Sequence, residues 1–424
     1  MMLRKLSILL ALLLVSVTAA PLFAQETDAT TSILYLPFIA ADGQSATVAA
    51  DEELPDATVT DALPDAVDDV TAAGHNNERN GAVFVMTNAN DELRGNEVVM
   101  YSRAADGALT VTGRFPTGGQ GLGAGLGSQG ALTLSDNGKW LFAVNAGSDE
   151  ISVFAVYPVG LVLADKVASG GDRPTSVTVR GGMIYVLNAG DPGNITGFRV
   201  NRAGKLTPLA NSTRNLSNSG SGAAPAPAQV SFTPNGKVLV VTERSSNQIV
   251  TYTIDRRGRA SEPIVHASSG ATPFGFAFGK NDTLVVSEAG GGGLPSAVSS
   301  YQVGNNGSLT LISGSVVTGE AAACWIVVTE RGKYAYSTNA GTASLSLFEV
   351  NSNGALTLLD ARGGETGDGT GPTDAGVTRN GRLIYALSPR SQTVVGFSVE
   401  ADGTLTMIGS FGGLAPNPAG LAAW

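Results

Sequence analysis

Two glutamates stand where the rest of the chain carries amides or a hydroxyl. Seven apolar runs end in a polar residue: VFVMTN at Asn88, LFAVN at Asn145, IYVLN at Asn188, VLVVTE at Glu243, LVVSE at Glu288, YAYSTN at Asn339 and LIYALS at Ser388. Polar groups gathered at the ends of apolar strands are candidates for contact with a small molecule. On that ground Glu243 and Glu288, with Arg244 beside the first, are the candidate chemical groups, and Asn145, Asn188, Asn339, Arg173 and Arg390 are candidate substrate contacts. The competing reading is that Asn at a strand end takes a turn conformation and bonds its own backbone. The two glutamates fit that reading less well, because they replace the amide at just two places. Carboxylates and amides could also hold calcium or another hard cation, but no cofactor is expected.

Other chemistries are excluded by residue type. There are two histidines: His75 lies near the N-terminus and His266 follows a predicted outer strand, which leaves no Ser-His-Asp relay. No Cys/His spacing supports zinc. The glycine-rich stretches 290–293 and 118–127 lack a following helix and lysine, so they do not read as phosphate loops.

The elements that must position these residues repeat. Residues 323–359 read as four short strands separated by turns, and period-2 alternation with turn chemistry between runs indicates antiparallel sheet. The polar-ended run is the second strand of each unit. The third strand supplies an aromatic each time: Tyr101, Phe154, Phe198, Tyr252, Tyr301, Phe348 and Phe397, spaced 44 to 54 residues apart. Asp-Gly or Asn-Gly follows at 106–107, 306–307, 353–354 and 402–403, supplying the positive φ of a tight hairpin. Four strands at a period near 50 are blades of a β-propeller, and seven are counted. First strands are found at 131–134, 176–179, 229–232, 274–278, 325–328 and 374–377, one short of seven. The C-terminal GLAAW, 420–424, is therefore expected to close the ring as the innermost strand of the first blade. Propeller geometry then brings the starts of the first strands and the ends of the second strands to one face, around the channel mouth.

The ends and the charge bound the rest. Residues 1–24 read as a signal peptide, with Arg4-Lys5, an apolar run and a cleavage site after Ala24, so a secreted or cell-envelope location is expected. Residues 25–80 read as an acidic, flexible leader: 12 acidic residues lie between Glu26 and Glu78, and Arg79 is the only base. The propeller, 81–424, holds 24 acidic and 23 basic residues, so the net charge of −10 belongs mostly to the leader. A balanced body offers no basic stripe for nucleic acid. No membrane span is expected after signal cleavage, and a monomer is expected. The single cysteine, Cys324, opens an apolar strand and reads as a buried, inert thiol.

The segments VLVVTERSSNQIVTY (238–252), PFGFAF (273–278), LVVSEAGGG (284–292), AACWIVVT (322–329) and YAYSTNAG (334–341), punctuated by Asp-Gly-x-Leu-Thr turns, resemble the lactonase-type seven-bladed propellers. That family includes the propeller form of 6-phosphogluconolactonase and the fungal carboxymuconate-lactonising enzymes. The resemblance covers about 81–424. It implies a site at the channel mouth with acidic and arginine side chains, which here favours Glu243, Arg244 and Glu288. Arg244 or Arg390 would hold the oxyanion of a lactone carbonyl, and Glu243 or Glu288 would take a proton from water. The histidine associated with the fungal enzymes has no match, which sets cyclisation aside and leaves hydrolysis. The expectation is an exported hydrolase of a sugar or aromatic lactone, or of a carbohydrate-derived ligand. The alternative is a noncatalytic extracellular propeller that binds a ligand or protein.

Overall fold

The computed structural model describes residues 81–291 and 295–424. The expected signal peptide and acidic leader lie outside the described residues. Seven antiparallel sheets follow one another along the chain, each built from strands in spatial order first to fourth. The first sheet is Gly81–Met86, Glu97–Arg103 and Leu109–Pro116, with Ala419–Ala423 on its inner side. The C-terminal strand pairs Val83 with Ala423 and Val85 with Leu421, so the ring closes as the strand count required.

The blades form where the pattern placed them. Second strands run Trp140–Asn145, Met183–Asn188, Val238–Glu243, Thr283–Glu288, Tyr334–Asn339 and Leu383–Ser388. The hairpin glycines Gly107, Gly307, Gly354 and Gly403 have φ between 81° and 90°, the conformation their turns need. All seven third-strand aromatics are at most 3% exposed. They fill the spaces between neighbouring blades, where each buried ring contributes roughly 2–3 kcal/mol of transfer free energy. Three of the seven are tyrosines, and each hydroxyl reaches the outer edge of the preceding blade or the connector leaving it. Tyr101 donates to Gly412 O at 3.0 Å, Tyr252 donates to Asn215 O at 2.9 Å, and Tyr301 accepts from Ser269 N at 2.8 Å. A buried hydroxyl needs such a partner.

The outer strands depart from the sequence pattern. That of the sixth blade extends over Leu356–Glu365, well past residue 359 where the four-strand unit was expected to end, because two register shifts let it bend and continue beside Ser344–Val350. In the third blade the outer edge is broken into Leu206–Pro208 and Arg214–Asn215, both paired to Asn194–Val200. Pro208 has no N–H to continue the ladder. Among the described residues no helix is long and apolar enough to cross a membrane.

Candidate active site

First strands begin opposite the ends of second strands, as the mouth geometry requires: Pro174 faces Asn188, Pro227 faces Glu243, Pro273 faces Glu288 and Ala323 faces Asn339. Proline suits this place, because the first residue of an edge strand has no ladder bond to donate. The polar residues at the second-strand ends therefore lie at the right end of each blade. Their side chains, however, are buried in the blade wall.

Glu243 is 0% exposed. Its Oε1 accepts from Ser217 N at 3.0 Å, and its Oε2 accepts from the hydroxyls of Ser217 and of Ser246, the latter at 2.9 Å. Ser217 belongs to the connector entering the fourth blade, so the carboxylate pins that connector to its second strand. Glu288, 1% exposed, does the same in the fifth blade, with Oε1 accepting from Gly270 N at 2.8 Å and from Ser299 Oγ. Asn145 Oδ1 accepts from Thr117 Oγ1 at 2.7 Å and Asn96 Nδ2 at 3.0 Å, while its Nδ2 donates to Ser152 Oγ at 2.8 Å. Asn188 donates to Asn194 Oδ1 at 2.8 Å and to Ser169 O, and Asn339 donates to Ser344 Oγ and Ser346 Oγ at 3.0 and 2.9 Å. Four of the five are latches between a connector and the blade that follows it, whereas Asn339 bonds only the third strand of its own blade. Glycines in two connectors make room for them: a Cβ on Gly119 would lie 2.5 Å from Asn145 Cγ, and one on Gly270 would lie 2.1 Å from Glu288 Oε2.

The arginines lie differently. Arg244 is half-buried; its Nε donates to Ala226 O at 3.1 Å and its guanidinium sits 4.8 Å over the Phe274 ring. Burial depresses its pKa, and the charge of Arg173 adds to that effect. Arg173 is exposed, has φ +53°, and donates from its guanidinium to Ala189 O. Phe274 stacks in turn 4.9 Å from Trp325. Cys324, packed beside these rings, has its thiol pushed up to about 12 by burial, which leaves it protonated at neutral pH and slow to react.

Trp325 opens onto a cavity of about 290 Å³ at the mouth, near the lower size limit of a small-molecule site. Its walls come from the glycine-rich loop 125–128, from Thr373, Asp374 and Arg390 of the seventh blade, and from the closing segment 417–420. Arg390 is exposed, and no hydrogen bond or ion pair to its guanidinium is found among the described residues; its Nε would lie 3.0 Å from a Cβ on Gly371. Asp374 is 2% exposed, accepts from Ala375 N at 2.8 Å through Oδ1, and from Leu421 N of the closing strand at 3.1 Å through Oδ2. Burial pushes its carboxyl up to about 8, against the pull of those two backbone N–H groups. Arg390 is thus the one expected contact residue on this wall. Neither Glu243 nor Glu288 lines it. Asp374 escaped the sequence reading, although an acid opening an otherwise apolar first strand, DAGV, was a visible signal. Among the described residues no group of three or more His, Cys, Asp or Glu side chains could hold a metal ion.

A seven-bladed ring with a small pocket at one mouth defines the class of protein. The chain belongs to the seven-bladed β-propeller lactonase family, whose profile matches residues 89–218, 212–324 and 294–419. No curated protein matches it. Among solved structures it is similar to the periplasmic gluconolactonase PpgL of Pseudomonas aeruginosa, at 16% identity over 81% of this chain and 98% of that one, with a TM-score of 0.61. A Lactobacillus plantarum protein is 19% identical over 81% of this chain and 99% of that one, with a TM-score of 0.66. A Bacteroides fragilis protein, named as a candidate 6-phosphogluconolactonase, is 20% identical over 83% of this chain and 100% of that one, with a TM-score of 0.62. At these identities the likeness shows the fold.

Proposed function

We propose that the protein hydrolyses a lactone in the mouth cavity, with Asp374 as general base. The observation that carries this reading is a buried carboxyl and a guanidinium with no partner among the described residues, on the walls of one small cavity in a lactonase-family propeller. Ionised Asp374 takes a proton from water as the water oxygen adds to the ester carbonyl. The oxyanion that forms is held by Arg390. Collapse breaks the ring C–O bond, and protonated Asp374 returns its proton to the departing alkoxide, giving a hydroxy acid. A carboxyl with a raised pKa suits both halves, since it is a stronger base when ionised and a ready acid when neutral. The Trp325 ring offers an apolar wall to a sugar or aromatic ring, and Arg244, over Phe274, supports that wall from behind.

Export through residues 1–24 would put the protein among unphosphorylated lactones rather than cytosolic sugar phosphates, which favours a sugar or aromatic lactone as substrate. Proton release by the full mature chain on γ- and δ-lactones tests the reading, with and without EDTA. Turnover that is resistant to EDTA and lost in Arg390→Met supports it. No lactone hydrolysed above the spontaneous rate would overturn it and favour the noncatalytic propeller.

A further inference from the structure

Each inner strand of a propeller is a sheet edge that presents backbone N–H and C=O groups to the channel, and such groups need partners. Gln129 supplies them across the channel. It lies in the connector leading to Leu132–Leu134 of the second blade, yet its Nε2 donates to Ile326 O at 2.9 Å and its Oε1 accepts from Ile326 N at 3.3 Å. Ile326 is in the inner strand of the sixth blade, three blades away in the shorter direction round the ring. The amide imitates a strand neighbour, donating and accepting at one residue. Gln229 does the same between adjacent blades, pairing with Phe276 N and O at 2.6 and 2.9 Å.

Gln129 is held from other sides as well. Its N–H donates to Ala228 O at 3.1 Å in the fourth blade, and its carbonyl accepts from Ser176 Oγ at 2.7 Å in the third. In the fifth blade a Cβ on Gly275 would lie 2.2 Å from Gln129 Oε1 and 2.8 Å from Cys324 O. Glycine is the one residue that fits there. One side chain with its backbone therefore touches the third, fourth, fifth and sixth blades. Its neighbour Ser128 accepts from Trp325 Nε1 at 2.9 Å, and Ser128 and Trp325 both line the mouth cavity.

We propose that Gln129 closes the central channel beneath the mouth and is the positioning residue of the pocket. It makes the cavity blind, so that substrate and product use one opening, and it fixes the Ser128–Trp325 wall. The claim about closure stands without any activity; the claim about positioning rests on the lactonase reading.

Cys324, the single cysteine, is 7% exposed and lies two residues before Ile326, the partner of the Gln129 amide, which makes its reaction with a thiol reagent a site-specific probe. The full chain is compared with Gln129→Ala, with Gly275→Ala, which displaces the same amide from the opposite blade, and with Gln129→Met, which keeps the bulk. Each is measured at a temperature where circular dichroism shows it folded. Gln129→Ala and Gly275→Ala are expected to react at least tenfold faster, and Gln129→Met at close to the parent rate. On any lactone that is turned over, Gln129→Ala is expected to raise KM about tenfold while kcat moves less than twofold. Parent-rate labelling in the two folded alanine variants overturns the closure, whether or not a lactone is hydrolysed. Unchanged KM, or equal loss in kcat, overturns the positioning.

Discussion

Asp374 couples pH to the stability of the closed ring in a direction that most carboxylates do not. Its folded pKa is raised to about 8, far above the ordinary aspartate value, with burial as the largest cause. An acid with a raised folded pKa holds its proton in the native state over a range where the unfolded chain has lost it. Its contribution is therefore complete below about pH 4 and lost as pH rises through 8. At about 1.4 kcal/mol per pH unit the whole window is worth on the order of 5 kcal/mol. Asp255, Asp91 and Asp402 are held low by hydrogen bonds to neighbouring residues, so their stabilisation is present above pH 4 and fades in acid, outside this window. The perturbation is Asp374→Asn, which keeps an oxygen for the Ala375 or Leu421 N–H and carries no charge at any pH. Thermal melts of both chains between pH 5 and pH 9 are the assay. The parent should lose stability relative to the variant by several degrees across that range, with the difference levelling above pH 8. Parallel curves would refute the assignment of a buried, pH-responsive carboxyl.

Two further outcomes follow from the packing. Deleting 420–424 removes most of the inner strand of the first blade together with Leu421, which Asp374 holds, and should abolish the parent's cooperative melt; a truncated chain melting like the parent would contradict ring closure. Gly270→Ala places a methyl about 2.1 Å from Glu288 Oε2, and should cost at least 1–3 kcal/mol in chemical denaturation while leaving the pH response of stability unchanged.

The architecture was readable because it repeats. The third-strand aromatics, the Asp-Gly and Asn-Gly turns and the missing seventh first strand each recur at the blade period, and one reading satisfies them together. The outer strands were less readable, since bulges and Pro208 set their ends through pairing geometry rather than residue type. The direction of the polar side chains was harder still. Glu243, Glu288 and the three asparagines occupy the expected ends of their blades, but Glu243, Glu288, Asn145 and Asn188 bond the incoming connector and Asn339 bonds its own third strand. Arg390, just past a second strand, does reach the cavity, but Asp374, Trp325 and Gln129 reach the cavity or the channel from first strands and the connectors before them. Gln129 pairs with a residue 197 positions away, a contact that no local pattern encodes.

On the proposed reading, catalysis belongs to Asp374 and not to the buried glutamates. The most direct test compares the parent with Asp374→Asn and with the Glu243→Gln/Glu288→Gln double variant, by lactone hydrolysis across pH 5 to 9. The expected result is a parent rate that rises with pH and levels above about 8, a loss of roughly 10²- to 10⁴-fold in Asp374→Asn, and retained turnover in a folded double variant. Full activity in Asp374→Asn, with loss in the folded double variant, would contradict it.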